Sequence, residues 1–327
     1  MTKLPNRAAG PSYSAVIATC DREESLALVL GDWAAQTVKP EKVVVVEARG
    51  ERQEAIGEER NFDRDNFDIL QEGAATDLRS PISDLPLVEL SSKERSAAKQ
   101  RNLGAGEVET DWIVFCDDDV RFGSDLAART LGFLKDHPEA VAVSPRMRGA
   151  GHPAPSRWLR QYYRLQAGFD DETYGAKLFG AGLSCYPCWE KQSSPVETNW
   201  LPSTMLWMRT DLFKRHMFPG FEGYSFGEDA HLTHRGWREA QKWGGKMYFL
   251  GEPEFEHCSV QSGVKANRFH LGKMTIPNQQ RIAREAMGKT CCEVGWKSLL
   301  HRGFVTMAWW KSRRPGWVGE VAGVWRG

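Results

Sequence analysis

The chain has no apolar run long enough to cross a bilayer. Its longest, such as FVTMAWW over 304–310, fall far short of the ~18–20 residues that a spanning helix needs. The opening stretch MTKLPNRAAGPSYS lacks the apolar core of a secretory signal, so the expected location is cytoplasmic. Net charge is missing too. The 43 Lys and Arg balance 43 Asp and Glu. That leaves no global field, and no basic stripe, to draw in nucleic acid. The 7 cysteines are scattered and include one CxxC, Cys185 to Cys188. A zinc site would want a second such pair, and the adjacent Cys291 and Cys292 are a poor substitute. A plain loop and a structural or redox role both remain open for it. Internal repeats and low-complexity tracts are absent. What remains is a 327-residue chain with 41% hydrophobic and 11% aromatic residues, enough for one large α/β domain or two smaller ones.

The first half alternates strand and helix. YSAVIATC reads as a buried strand. DREESLALVLGDWAAQT reads as a helix with Asp21 as N-cap and Glu24 completing a capping box. Its Leu26, Val29, Leu30 and Trp33 fall on one face. KVVVVEA is a second strand, apolar throughout as in a parallel sheet covered on both sides. Residues 49–85 show no sustained period and read as a surface insertion with a short strand around Phe67–Leu70. PLVEL, a helix over SKERSAAKQRNLGAGEV, the strand WIVFC, a helix capped by Ser124 and the strand AVAVSP follow. Residues 146–198 are rich in Gly, Pro and Tyr and read as loops of the kind that carry binding surfaces. TMLWMRTDLF reads as strand then helix, KMYFL and EFEHCSV as two further strands, and the chain after Asn278 as helical.

Three carboxylates, Asp117, Asp118 and Asp119, follow WIVFC at once. Two unit charges ~4 Å apart repel by about 1 kcal/mol in water and about 4 kcal/mol near a protein surface. Acids at a strand's C-terminal end lie where open α/β sheets bind ligands. Hard oxygen ligands so spaced suit Mg²⁺ or Mn²⁺, which would relieve the repulsion and bridge a diphosphate. A solvated turn paired with Arg121 is the plainer reading. A second acidic site, Glu228 and Asp229, precedes a helical stretch. Near a helix N-terminus Asp229 would be held as the anion and would accept a proton from a hydroxyl; an acidic cap with no chemistry is the alternative. His231 and His234 form an HxxH without the glutamate of a zinc protease, and His257 is a candidate third metal position.

Together these residues resemble the family 2 glycosyltransferases, inverting enzymes of the GT-A fold. The likeness runs from Ser14 to about Arg281, broken over 49–85 and 146–198. It rests on SAVIATCDREESLALVLGDWAAQTVKPEKVVVVEA, SAAKQRNLGAG, FCDDDV, GEDAHLTHR and EHCSV. The resemblance implies a three-layer α/β/α architecture with a mostly parallel mixed central sheet and a C-terminal helical tail. It implies a nucleotide-binding half over about 12–145, an acceptor half over 146–277, and a tail over 278–327. It places Thr19 and Glu47 at the nucleotide base, although Glu47 stands where most members carry Asp. Arg101 and Asn102 would lie beside the nucleotide, with Asp117 or Asp118 on ribose or metal. Asp119 and His257 would hold Mn²⁺ or Mg²⁺, and Asp229, with Glu228 beside it, would be the catalytic base. The donor would be a nucleoside-diphosphate sugar and the acceptor a glycan or lipid-linked hydroxyl in cell-surface polysaccharide assembly. Trp200 foremost, with Trp158, Tyr162, Tyr163 and Trp189, would then be the aromatics on which an acceptor sugar stacks, and core packing is the competing reading. A sugar-phosphate nucleotidyltransferase is the rival enzyme, but its Gly-rich loop is missing from ATCDREES. A non-catalytic nucleotide-sugar or glycan-binding protein is the rival outside catalysis.

The tail from Trp296 alternates Trp and basic residues with apolar ones and has almost no acids. It suits either a helix lying in a membrane interface or one packed back on the catalytic domain.

Overall fold

The computed structural model describes residues 11–49, 84–168, 173–221, 227–258, 268–312 and 317–326. The strand suggested around Phe67–Leu70 lies outside them. Strands β1 (Tyr13–Thr19), β2 (Lys42–Ala48), β3 (Leu87–Ser92) and β4 (Trp112–Asp117) pair in parallel in the order β3-β2-β1-β4. Their near-continuous apolar sequence follows from burial on both faces. On β1, Val16 faces one core while Ala15 and Ile17 face the other, the two-residue period of a strand. Helix α1 (Glu23–Ala34) covers one face and α2 (Ala97–Ala105) the other, so the sheet is the middle of three layers.

Beyond β4 come β5 (Val120–Phe122), α3 (Leu126–Asp136) and β6 (Ala140–Met147). Then follow α4 (Arg157–Ala167), the short strands β7 (Leu178–Phe179) and β8 (Leu183–Ser184), and β9 (Val196–Thr198). The sheet continues with β10 (Met205–Arg209), α5 (Thr210–His216), α6 (Glu228–Ala240) and β11 (Lys246–His257). It reads β3-β2-β1-β4-β10-β6-β11-β5, with β9 on β11. Antiparallel β10 reverses the run between β4 and β6, and β11 returns parallel to β6. Helices α7 (Arg268–Arg281), α8 (Cys291–Ser312) and α9 (Trp317–Arg326) close the chain.

Several local expectations are corrected. Asp21 does not cap α1: it sits at φ 53°, a left-handed turn that Asp tolerates, and its carboxylate accepts from Arg95 at 2.9 Å. Ser124 does not cap α3. The helix starts at Leu126, and the N–H of Ala127 donates instead to Gln36 Oε1 at 2.9 Å. KMYFL and EFEH form one strand, because a register shift between Phe249 and Glu254 lets β11 continue along β6 and reach β5; the last two residues of EFEHCSV lie outside the described residues. The segment 146–198 holds α4, which Ser156 caps; its Leu159, Tyr162, Tyr163 and Gln166 recur at helical spacing, a signal that the loop reading passed over. The helical tail starts earlier than Asn278, at Arg268. It packs back on the domain in part. The Tyr162 ring of α4 stacks on Phe304 of α8 at 3.9 Å, and Gln166 donates to the Lys297 carbonyl at 2.7 Å. α9 lies so close to α7 that a Cβ on Gly323 would stand 2.2 Å from the Phe269 carbonyl, so only glycine fits there. Among the described residues no helix is long and apolar enough to cross a membrane.

Candidate functional site

The site forms where β1, β2 and β4 end, at the edge where open α/β sheets leave a crevice for ligands. Asp117 closes β4, and Asp118 and Asp119 make the turn into β5. Asp118 and Asp119 are only 5% and 7% exposed, so their charges need partners. Thr19 Oγ1 donates to Asp118 at 2.8 Å. Arg22 Nη1 donates to Asp118 at 2.8 Å and to Asp119 at 3.2 Å. Burial still raises the Asp118 carboxyl above its ordinary range, against the pull of Thr19 and Arg22. On the other side Arg101 donates to Asp117 at 2.6 Å.

His257, at the end of β11, places Nε2 3.1 Å from an Asp119 oxygen. One ligand atom each from Asp117, Asp119 and His257 lie within 4.8 Å of one another, the one such group among the described residues. Two carboxylate oxygens and one imidazole nitrogen suit a Mn²⁺- or Mg²⁺-type ion, with Mn²⁺ more tolerant of the nitrogen. The two metal positions read from the sequence, Asp119 and His257, therefore meet, and Asp117 joins them. Asp118 is turned instead to Thr19 and Arg22.

The second acidic site is brought against the first. Gly227 begins α6 at φ 87°, where a Cβ would lie 2.6 Å from Ile282, and this turn delivers Glu228 and Asp229 to the cleft. Arg101 donates one Nη to Asp117 and the other to Glu228 at 3.0 Å, so a single guanidinium spans both acidic sites. Burial pushes the Glu228 carboxyl up to about 8 although Arg101 opposes it, and its Oε2 has no partner among the described residues. Asp229 accepts from its neighbour Ala230 N–H at 2.7 Å and from Ser203 N–H at 3.4 Å. The helix N-terminus was expected to favour the anion, yet burial outweighs these donors and raises the Asp229 carboxyl above its usual range.

Thr19 and Glu47 line a cavity of about 350 Å³ with Arg22, Leu26, Arg49 and Leu90, beside the aspartate turn. Glu47 is held by Arg49 at 2.7 Å. Asn102 does not face this cavity: its amide clasps the backbone of Phe218 in both directions at 2.9 Å, tying α2 to the segment after α5. His231 and His234 are not brought together as ligands. Each is pushed down to about 4 by burial, His231 against Glu285 and His234 on the Asn199 carbonyl. Cys185 and Cys188 are buried thiols without a disulfide.

Trp200 requires correction. It is 3% exposed, its indole N–H donates to the Cys185 carbonyl at 3.1 Å, and its ring packs edge-on against Tyr186 and Phe249. A ring so enclosed has no free face for a sugar. Trp200→Ala is expected to cost about 3–5 kcal/mol of stability in urea unfolding; unchanged stability with a raised acceptor KM would restore the acceptor reading. Half-buried Tyr186 stands within reach of the acids' charge: burial first, then the charges of Asp229 and Asp117, push its hydroxyl up. Sequence reasoning missed Tyr186 and Arg22. Arg22 carries a faint signal, a cation directly after the strand that ends in Thr19.

Residues 75–189 match the family model described as Glycosyl transferase family 2, a span that contains the aspartate turn. No curated protein matches the chain. Among solved structures, the mannosyltransferase PcManGT from Pyrobaculum calidifontis, in complex with GDP-Man and Mn²⁺, is 16% identical. That match covers 90% of this chain and 69% of that one, with a TM-score of 0.52. S. aureus TarS 1-349 is 16% identical over 93% of this chain and 74% of its own, at 0.48. The same TarS fragment in complex with UDP-GlcNAc is 15% identical over 91% and 72%, at 0.47.

Proposed function

We propose that this chain, a glycosyltransferase of the family 2 type with the GT-A fold, moves a sugar from a nucleoside diphosphate to a hydroxyl with inversion. The acceptor is a glycan or a lipid-linked sugar, and the work is cell-surface polysaccharide assembly on the cytoplasmic side of the membrane. The observation that carries this reading is the reach of Arg101 from Asp117 to Glu228, which sets a diphosphate-type acidic site and a base-type acidic site in one cleft.

The nucleoside half of the donor fits the cavity beside Thr19 and Glu47. Asp117, Asp119 and His257 would hold Mn²⁺ or Mg²⁺, which neutralises charge on the departing diphosphate when bound. Arg22, already on Asp118 and Asp119, is the side chain best placed to meet the phosphates from the protein side. Asp229 takes the proton of the attacking hydroxyl, and its raised pKa makes it a stronger base than an ordinary aspartate. A single displacement inverts the anomeric carbon and needs no covalent nucleophile. Glu228 stays fixed on Arg101 and keeps that cation between the two acidic sites.

Thermal denaturation with UDP, GDP or dTDP, each with Mn²⁺, Mg²⁺ or chelator, tests the donor site. One nucleotide should stabilise the fold only when metal is present, by about 2.7 kcal/mol at a hundred times Kd. Asp119→Asn should erase that gain. Stabilisation that ignores metal, or none with any nucleotide, would remove the basis for the donor assignment.

A further inference from the structure

Helix α8 presents an unusual face to solvent. Along it Trp296, Leu299, Met307 and Trp310 are 60%, 50%, 60% and 71% exposed, and Gly303 lies between them, also exposed. Steps of three and four residues put all five on one stripe, ~21 Å long at ~1.5 Å per residue. A solvent-facing stripe is ordinarily the polar side of a helix; here it carries no charge until exposed Lys311 at its end.

The stripe is extended by α4, where Trp158 and Leu165 are 77% and 61% exposed. The two helices run antiparallel, since Tyr162 meets Phe304 while Gln166 meets Lys297. At about 100° per residue, Trp158 and Leu165 then fall on the same side of the contact line as the α8 stripe. The combined surface is apolar at its centre, with aromatic rings of the amphipathic kind found at headgroup depth.

Its charge is one-sided. The chain as a whole is neutral, with 43 bases and 43 acids. Yet α4 opens with Arg157, and no acid follows in sequence until Asp170, Asp171 and Glu172 beyond its far end, while the sequence from Val294 to Gly319 has Lys and Arg but no Asp or Glu, so the basic side is the end where α4 begins and α8 finishes. Exposed apolar area of this kind marks an interaction surface. Its basic border decides between occupants. A second copy docked by two-fold symmetry would set the same patch, and so the same cations, against itself. An anionic lipid surface instead complements Lys311 and Arg157, both exposed, while receiving the indoles.

We propose that the face formed by α4 and α8 docks on an anionic membrane surface, with Trp158, Trp296 and Trp310 inserted at headgroup depth. The helices lie in the interface and do not span it. This docking is independent of the donor chemistry, since it uses none of the residues of the cleft. It would hold the transferase where lipid-linked acceptors are found.

The full chain is tested by flotation with vesicles of phosphatidylcholine alone and of phosphatidylcholine with phosphatidylglycerol. Binding is expected to the anionic vesicles at 0.1 M salt and to fall at 0.5 M, as the charge attraction is screened. Trp296→Ser with Trp310→Ser should weaken partitioning at least tenfold. Because both rings are exposed, the doubly substituted chain should keep its melting temperature. Arg157→Gln with Lys311→Gln gives a second variant that touches exposed charge alone and should lower anionic binding while leaving any neutral-vesicle binding unchanged. The proposal is overturned if the wild-type chain stays with the unbound fraction, or if the double-Trp variant floats equally. A dimer seen by light scattering without lipid, and lost in the double-Trp variant, would overturn it in favour of a second copy. None of these readouts uses transfer activity, so they fail or succeed apart from the donor and acceptor assignments.

Discussion

Asp229→Asn should lower kcat by about 10²–10⁴-fold, the span ordinarily lost with a general base. The amide keeps the size of the side chain, and its oxygen still accepts from Ala230 or Ser203, so the fold should hold. Metal-dependent stabilisation by the nucleotide should survive, because the cavity beside Thr19 and Glu47 and the Asp117–Asp119–His257 group are untouched. That combination separates a transferase from a binding protein, and it is read by steady-state turnover beside thermal shift. Asp229 acts as a base only when ionised, so wild-type turnover should fall as pH drops through its pKa. Burial sets that pKa above the ordinary aspartate value, and the acid limb should move with it. Full turnover in the Asn variant would transfer the role of base to another group.

Arg101→Met is the second large effect. The guanidinium is 5% exposed and bonds Asp117 at 2.6 Å and Glu228 at 3.0 Å. Removing it leaves two acids facing each other with no cation between them. Losing one partner of a buried pair typically costs about 3–5 kcal/mol. Urea unfolding should show a loss of that size, larger than for Arg121→Met, whose ion pair with Asp32 sits at the surface. Arg101→Lys should recover only part of it, since a point charge cannot make the two-armed contact of the planar fork. A Met variant as stable as wild type would show that Arg101 is not what joins the acidic sites.

The architecture was legible where pattern and period agree. β1, β2 and β4 announce themselves through unbroken apolar runs, since strands buried on both faces tolerate nothing else. The aspartate turn was visible for the opposite reason: charge placed directly after such a run needs a cause. The order of Thr19, the aspartates, the Glu228–Asp229 pair and His257 was enough to suggest one cleft.

Partner choice was not legible. Arg101 lies 16 residues from Asp117 and 127 from Glu228, and nothing local states that one side chain reaches both. Arg22 lies 96 residues from Asp118. Asn102 looked like a nucleotide contact and serves as a backbone clasp, and Trp200 looked like a sugar platform and is core. Side chains of the same chemistry take either part, and burial alone assigns it.

By itself the sequence determined that a layered α/β sheet would form and that its strand ends would carry acid, because alternation, apolar runs and stranded charge are local properties. Only the tertiary structure decided which acids share a cation, which aromatic rings keep a free face, and which side of the last long helix is left uncovered. Those outcomes depend on distances between segments far apart in the chain, and such distances exist only once the layers have packed.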